Sequence, residues 1–286
     1  MVIVLDLDGV VYRGETPVPG AVPSLNLLSQ RSYSLFFLTN NSTRSRRHYA
    51  QKLARMGIPA RPDQVVTSSH VTGCYLSERG AAGRTVYTIG EEGMAEELAL
   101  AGLRVLPDDT EEQADYVVVG LDRKLTYARL ARAYDQVRGG AAFIATNRDA
   151  TYPIEGGREI PGGGAMVAAL ACATGVEPVT VGKPETHPWR LILSVTGAAP
   201  EEALMVGDRA ETDILGAKRL GMRTALVLTG VTRAEEVPGL PEECQPDVVL
   251  PSLAGLPPLV EEWEAARQVR RPGVPKAFGT AGRAGG

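Results

Sequence analysis

Val2-Ile3-Val4-Leu5-Asp6-Leu7-Asp8-Gly9 decides how the rest of the chain is read. Aliphatic residues lead it, β-branched ones first, which is the pattern of a parallel strand buried on both faces. The strand closes in two aspartates one residue apart and then Gly9. Both carboxylates thus stand at a strand's carboxyl end, where open α/β sheets bind ligands. Side chains alternate along a strand, so Asp6 and Asp8 leave the same face unless the chain turns there. Two like charges so close are costly unless a cation lies between them or one of them holds a proton. The same pair could cap a turn in an ordinary α/β domain, so the remainder of the chain has to decide.

The 286 residues suffice for a large core and for two domains. Apolar residues make up 44% and charged residues 22%, an ordinary globular profile. A net charge of −4 with no basic run argues against a nucleic-acid groove. No apolar run approaches the ~20 residues of a membrane span, and the N-terminus enters a strand directly, without the look of a signal peptide. Cys74, Cys172 and Cys244 are odd in number and far apart, which fits neither a disulfide framework nor a zinc site. A reducing cytoplasm is the expected compartment.

After Gly9, a Gly- and Pro-containing stretch from Val10 to Pro19 predicts a short hairpin or flap. A helix follows Pro19-Gly20, with Val22, Leu25, Leu27 and Leu28 on its apolar side. Ser34 to Leu38 predicts a second buried strand, ending in Thr39-Asn40-Asn41-Ser42-Thr43. Ser42 or Thr43 could cap the next helix, which runs to Met56 and stops at Gly57. A Thr hydroxyl and free amides at that strand end could equally hold an anion. Val65 to Glu78 has a helical pattern. Then come strand Thr85–Ile89, helix Glu91–Ala101, strand Tyr116–Val119, a Thr126-capped helix to Val137, and strand Ala141–Ala145. That last strand ends in Thr146-Asn147-Arg148-Asp149. Pro161-Gly162-Gly163-Gly164 reads as a connection into helix Ala165–Ala173.

Val179-Thr180-Val181-Gly182-Lys183-Pro184 is a short strand followed by a lysine. Ala203 to Val206 is one more buried strand, followed by Asp208 and, in the first turn of the next helix, Asp213. Four strands therefore end in polar groups: Asp6 with Asp8, Thr39 with Asn40, Lys183, and Asp208. A parallel sheet collects such ends along one edge. Three carboxylates with few histidines suit a hard cation held by oxygen, Mg²⁺ before Zn²⁺. A lysine, a threonine and amides suit a phosphate. The constellation asks for metal-assisted phosphoryl transfer.

Asp6-Leu7-Asp8-Gly9-Val10, Leu38-Thr39-Asn40-Asn41, Gly182-Lys183-Pro184 and Gly207-Asp208-Arg209-Ala210-Glu211-Thr212-Asp213 resemble, in order, the four motifs of the haloacid dehalogenase superfamily of phosphatases. Within it the chain is similar to the NagD-like, or p-nitrophenyl phosphatase-like, subgroup. The segments Thr146 to Asp149 and Leu226 to Thr232 resemble patterns of that subgroup. The likeness covers about residues 1 to 255. Thr186-His187-Pro188-Trp189 departs from it, because relatives tend to carry smaller residues there.

The resemblance implies a doubly wound, Rossmann-like parallel core with an inserted α/β cap. The core is expected at 1–80 and 179–265, the cap at 81–178, and a disordered tail at 266–286. It implies a phosphatase acting on a small phosphate ester. Asp6 is then the nucleophile, and Asp8 the group that protonates the leaving alcohol and later deprotonates water. Mg²⁺ is held by the Asp6 carboxylate, the Asp8 main-chain carbonyl and Asp208, with Asp213 orienting those ligands from behind. Thr39, Asn40 and Lys183 hold the phosphoryl oxygens. The cap closes over the site, its strand end Asn147, Arg148 and Asp149 meeting the leaving group, and it offers a surface for a homodimer. No nucleic-acid or membrane partner is expected. Two readings of other classes remain at this point: a non-catalytic nucleotide- or phosphate-binding α/β protein, and a phosphoacceptor domain. Against the first, no Gly-x-Gly-x-x-Gly follows the first strand. Against the second, a phosphoacceptor is far shorter and has no need of a cap.

Overall fold

The computed structural model describes residues 1–31, 33–154 and 158–270. From the N-terminus run β1 (Val2–Asp6), a hairpin of β2 (Tyr12–Arg13) and β3 (Thr16–Pro17), α1 (Ala21–Gln30), β4 (Ser34–Thr39), α2 (Arg46–Arg55), β5 (Val65–Thr67) and α3 (Ser68–Ser77). A second run follows. It holds β6 (Thr85–Ile89), α4 (Glu92–Leu100), β7 (Arg104–Val105), β8 (Tyr116–Val119), α5 (Tyr127–Arg138) and β9 (Ala142–Ala145). The hairpin of β10 (Thr151–Ile154) and β11 (Arg158–Pro161), then α6 (Gly163–Thr174) and β12 (Val179–Thr180), complete it. The chain returns through α7 (His187–Thr196), β13 (Ala203–Gly207), α8 (Leu215–Lys218), β14 (Arg223–Val227), β15 (Val248–Leu250) and α9 (Leu256–Arg270).

Two parallel sheets organise these elements. The first has the order β15-β14-β13-β1-β4-β5. From β1 the chain winds one way through β4 and β5, and after its return the other way through β13, β14 and β15. The strand order therefore reverses between β1 and β13, whose register pairs Leu5 with Val206. That reversal opens a crevice at the carboxyl ends, the usual ligand site of an open α/β sheet. The second sheet has the order β12-β9-β8-β6-β7 and is also parallel.

Alternation along the strands sorts the core. Ile3, Leu5, Leu25, Phe37 and Val206 fill one face of the first sheet. Val2, Val4, Phe36, Leu38 and Met205 face the other way, into a cluster that also takes Val86, Val118 and Ile144 from the second sheet. The two sheets thus share one apolar layer. Tyr87, Val117, Val119 and Phe143, one residue out of phase, fill the far side of the second sheet. Glu97 of α4 is buried and accepts from the Arg46 main-chain N–H at 2.7 Å and from Arg46 Nε at 2.8 Å.

Several sequence expectations shift. Val65–Thr67 is not helical. Three β-branched residues in a row favour a strand, and Thr67 then caps α3 by accepting from the His70 N–H at 3.1 Å. The first residue outside α2 is Ser45 rather than Ser42 or Thr43, and its side chain makes no cap bond. The Glu97 carboxylate serves the start of that helix instead, where a negative charge is favoured. Leu27 is exposed; Ala21, Ser24, Leu25 and Leu28 form the stripe that α1 buries. Val179–Thr180, expected to open the return to the first sheet, pairs with Ile144 and Ala145 of the second, so the crossover begins after Thr180. The expected tail at 266–286 begins too early, because α9 continues to Arg270. Residues 271–286 lie outside the described residues.

Thr186 to Trp189, the departure from the family pattern, is absorbed by packing. Trp189 is fully buried, and its Nε1–H points at Met205 Sδ at 3.4 Å. Gly216 makes room, since a Cβ there would collide with the Trp189 ring. Trp189→Ala should therefore cost about 3–5 kcal/mol of unfolding free energy. Chemical denaturation reads this directly, and a loss under about 1 kcal/mol would mean the ring is not a core element.

Candidate active site

The polar strand ends meet at the crevice beside β1. Lys183 Nζ lies 2.8 Å from Asp6 Oδ1 and 2.6 Å from Asp213 Oδ1. All three groups are buried, Lys183 at 4% exposure and Asp213 at 0%. Burial opposes the ammonium charge, but Asp213 and Asp6 outweigh it and raise the Lys183 pKa. The second oxygen of Asp213 accepts from the main-chain N–H groups of Asp208 at 3.2 Å and Arg209 at 3.1 Å. Asp213 sits in a single π turn (Ala210–Ile214) that carries β13 into α8. Both its oxygens are thus occupied in holding Lys183 and the Asp208 loop.

Asp208 is fixed from the other side. Its Oδ2 accepts from the Val231 N–H at 2.8 Å, and its carbonyl from the Thr232 N–H at 3.0 Å. Close backbone approach is what allows this. Gly9 has φ +86°, and a Cβ there would come within 2.5 Å of Asp208 Oδ2, while one on Gly230 would overlap the carboxylate outright. Asp6 Oδ2 and Asp208 Oδ1 keep no hydrogen-bond donor among the described residues. One carboxylate oxygen each from Asp6, Asp208 and Asp213 lie within 4.8 Å of one another. Burial, then the neighbouring Asp6 and Asp213 charges, push the Asp208 carboxyl well above its ordinary range. An all-oxygen donor set crowded with negative charge fits a hard cation such as Mg²⁺. Because Asp213 is saturated, Asp6 and Asp208 are the side chains with an oxygen to give.

Thr39 is buried at the end of β4, and its Oγ1 accepts from the Asn41 N–H at 3.1 Å. Asn40 is a junction. Its side chain accepts from the Lys183 N–H at 2.8 Å and donates to the Lys183 carbonyl at 3.0 Å. The same amide donates to both Asp149 oxygens at 3.2 Å. Its carbonyl accepts from Asn147 Nδ2 at 2.8 Å and Ser68 Oγ at 2.6 Å. With its side chain committed, Asn40 has its main-chain N–H left for an anion.

Asn147 and Asp149 line the crevice, yet both are bonded to Asn40 and join the second sheet to the first. Arg148 points elsewhere: it is exposed, with its guanidinium on Glu177 at 2.5 Å and on Thr180 Oγ1 at 3.1 Å. Gly162 and Gly163, read from the sequence as a plain connection, also line the crevice. Sequence reasoning passed over Tyr152. It stands on β10, lines the crevice, and its hydroxyl accepts from Asn41 Nδ2 at 2.9 Å. A lone tyrosine in a two-stranded hairpin carries no periodic signal, so only its neighbourhood in space reveals it.

Residues 3–104 match the model of the haloacid dehalogenase-like hydrolases, and residues 180–256 match a second, HAD-hydrolase-like model. An acid sugar phosphatase of Staphylococcus epidermidis is 40% identical over 233 residues, which is 82% of this chain and 88% of that protein. The chain belongs to the haloacid dehalogenase-like hydrolase family. A p-nitrophenyl phosphatase from Archaeoglobus fulgidus is 36% identical, with a TM-score of 0.82 over 89% of this chain and 97% of that one. A glycerol phosphate phosphatase from Mycobacterium tuberculosis, solved in complex with magnesium, is 38% identical, with a TM-score of 0.82 over 89% of this chain and 75% of that one. Within the family the chain is a phosphatase of the p-nitrophenyl phosphatase-like, NagD-like subgroup.

Asp213→Asn retains an acceptor for the two loop amides and loses the charge facing Lys183. Unfolding free energy should fall by about 2 kcal/mol, the size of a hydrogen bond between charged groups. Urea denaturation checks it, and an unchanged midpoint would place the Lys183 charge wholly on Asp6.

Proposed function

We propose that this phosphatase hydrolyses a small phosphomonoester through an aspartyl-phosphate on Asp6, with Mg²⁺ as cofactor. The observation that carries the reading is the sharing of Lys183 between Asp6 and Asp213. It leaves one Asp6 oxygen without a partner, at the carboxyl edge of the central strand, beside Thr39 and Asp208. The second sheet with its helices, roughly 81–180, is read as the cap, and Tyr152 and Leu121 from it already line the crevice.

In the first step the Asp6 carboxylate attacks phosphorus and the ester P–O bond breaks. Asp8 gives its proton to the departing alkoxide. In the second step Asp8 takes a proton from water, whose oxygen attacks phosphorus, and the bond to Asp6 breaks with release of phosphate. Burial, then the Asp6 charge, pushes the Asp8 carboxyl up to about 7. Near neutral pH it therefore holds a proton part of the time, as a group that alternately gives and takes one must. Lys183, the Thr39 hydroxyl and the Asn40 main-chain N–H hold the phosphoryl oxygens. Mg²⁺, when bound, offsets the phosphoryl charge; the Asp6 and Asp208 carboxylates and the Asp8 main-chain carbonyl would hold it, with Asp213 fixing the loop behind them.

Cys74, Cys172 and Cys244 are all free thiols, which favours a reducing cytoplasm. No helix among the described residues is long and apolar enough to cross a membrane. Tyr127 and Tyr134, exposed on one side of α5, offer a face for a homodimer, and sedimentation showing only monomer would remove that part of the reading.

Asp6→Asn keeps the size of the side chain and removes its nucleophilic charge. Hydrolysis of p-nitrophenyl phosphate should fall by about 10³-fold or more while the chain keeps a cooperative unfolding transition. Retention of over about a tenth of the rate would exclude covalent attack by Asp6. Asp8→Asn should slow alkyl phosphates far more than p-nitrophenyl phosphate, whose leaving group departs without a proton. Equal losses on both would take the general-acid role away from Asp8.

A further inference from the structure

The mechanism above leaves one cation of the crevice unused. Arg209 follows Asp208 at the end of β13, is half-buried, and lines the crevice from the first sheet. Its main-chain N–H goes to Asp213 at 3.1 Å. Its guanidinium has no ion pair or hydrogen bond among the described residues. Asp149 is its counterpart on the second sheet. It follows β9, lines the same crevice, and forms no ion pair among the described residues. Its two oxygens share one hydrogen of the Asn40 amide, each at 3.2 Å, because the other hydrogen goes to the Lys183 carbonyl at 3.0 Å. A carboxylate offers about four lone-pair sites, so most of its accepting capacity is open. Burial raises the Asp149 carboxyl above its ordinary range, while the Lys183 charge, the Asn40 amide and the Arg209 charge oppose that rise. Arg209 is therefore within electrostatic reach of Asp149 across the crevice.

We propose that Arg209 is a positioning residue: its guanidinium pairs with Asp149 across the crevice and so holds Asn40, and through Asn40 Lys183, in place for phosphoryl binding. This rests on the phosphomonoesterase reading above. The geometry suits such a pair. A guanidinium presents a planar fork that matches both oxygens of one carboxylate. Asp149 is already fixed, by its N–H bond to Asn147 Oδ1 at 3.0 Å and by the Asn40 amide. The Arg209 backbone is fixed by Asp213. With both backbones anchored, pairing needs only side-chain rotation. Nearby carboxylates are less suited, since Asp213 has both oxygens bonded and Asp6 already holds Lys183. The effect on Lys183 follows from the contacts of Asn40. One side chain holds the Lys183 N–H and carbonyl, and its remaining hydrogen turns to Asp149. A carboxylate withdrawn from water without a cation is costly. An arginine beside it keeps it ionised, and so keeps the acceptor toward which Asn40 is turned. An Arg209 that gripped a second anionic group of the substrate would act without Asp149, and that difference is measurable.

The test is a double-mutant cycle of Arg209→Gln and Asp149→Asn in the full chain with Mg²⁺. The substrates are p-nitrophenyl phosphate, propyl phosphate and 2-carboxyethyl phosphate, and inorganic phosphate serves as a competitive inhibitor. Each single variant should lose about tenfold in kcat/KM on every ester and weaken inhibition by phosphate by a similar factor. The double variant should lose no more than about twofold beyond either single one, where uncoupled residues would lose about a hundredfold in all. Arg209→Lys keeps the charge without the fork and should recover part of the loss. Losses that multiply in the double variant, a loss confined to the carboxylated ester, or full activity in Arg209→Gln would overturn the pairing. So would a melting temperature that falls in step with activity across the Arg209 variants, which would make the arginine merely structural. A wild type that releases no p-nitrophenol would overturn the phosphatase reading itself. One that releases it, while the variants multiply their losses, would overturn this inference alone.

Discussion

The buried ammonium of Lys183 is the interaction on which the site depends. Removing an ammonium and two carboxylates from water costs several kcal/mol per ion, repaid only when geometry and further hydrogen bonds are good. Both conditions are met. Asp6 and Asp213 take the ammonium at 2.8 and 2.6 Å, and Asp213 is itself held by two main-chain amides. The Lys183 backbone is clamped on both its polar atoms by one Asn40 side chain. Three stretches distant in sequence are thereby locked together: the end of β1, the crossover after β12 and the turn after β13. Without the ammonium, the Asp6, Asp208 and Asp213 carboxylates would crowd together uncompensated.

Asn40 extends this lock outward. Its carbonyl takes Asn147 from the end of β9 and Ser68 from the start of α3, and its amide takes Asp149. A hydrogen-bonded path thus runs from the second sheet through Asn40 to Lys183 and then to Asp6. The shared apolar layer and the Arg46–Glu97 contact brace the same two sheets further from the crevice. The path makes the second sheet part of the geometry around Asp6. Substitutions at Asn147 are accordingly expected to act on every substrate alike.

Much of this was legible in the sequence, for reasons that apply unevenly along it. Asp6, Asp8, Thr39, Asn40, Lys183 and Asp208 could be gathered before any coordinates, because a parallel sheet aligns its strand ends and each of these residues closes or follows a buried apolar run. Val65–Thr67 reads as helix in sequence because three strand residues running into a helix share its apolar spacing. Val179–Thr180 was placed on the wrong sheet because two residues cannot specify a partner; the hydrogen bonds to Ile144 and Ala145 do. Asn147 and Asp149 were found as a polar strand end, but a strand end says nothing of its targets, and theirs is Asn40. Tyr152 was invisible for a different reason. Its place in the crevice is tied to one contact with Asn41, 111 positions away, and neither residue alone departs from ordinary loop chemistry.

The charge balance of the cluster bears on what else it holds. Asp6, Asp208 and Asp213 together bring three negative charges if ionised, and Lys183 returns one. The excess of two is unfavourable in a buried site, and after burial itself the Asp6 and Asp213 charges push the Asp208 carboxyl up. Protonating Asp208 would relieve the crowding, yet its position argues against that as the resting arrangement. Oδ2 is held by the Val231 amide, a donor that favours the ionised form, while Oδ1 has no hydrogen-bond donor among the described residues. Gly9 and Gly230 keep that carboxylate pressed against the backbone, so it cannot swing to water for relief. A divalent cation between Asp6 and Asp208 removes the excess and uses the two oxygens that the hydrogen-bond network leaves free. A monovalent ion would leave a charge over, and a nitrogen- or sulfur-seeking metal would find no such ligand in the cluster. A divalent, oxygen-seeking cation therefore fits the count of charges and of unpaired oxygens in this chain.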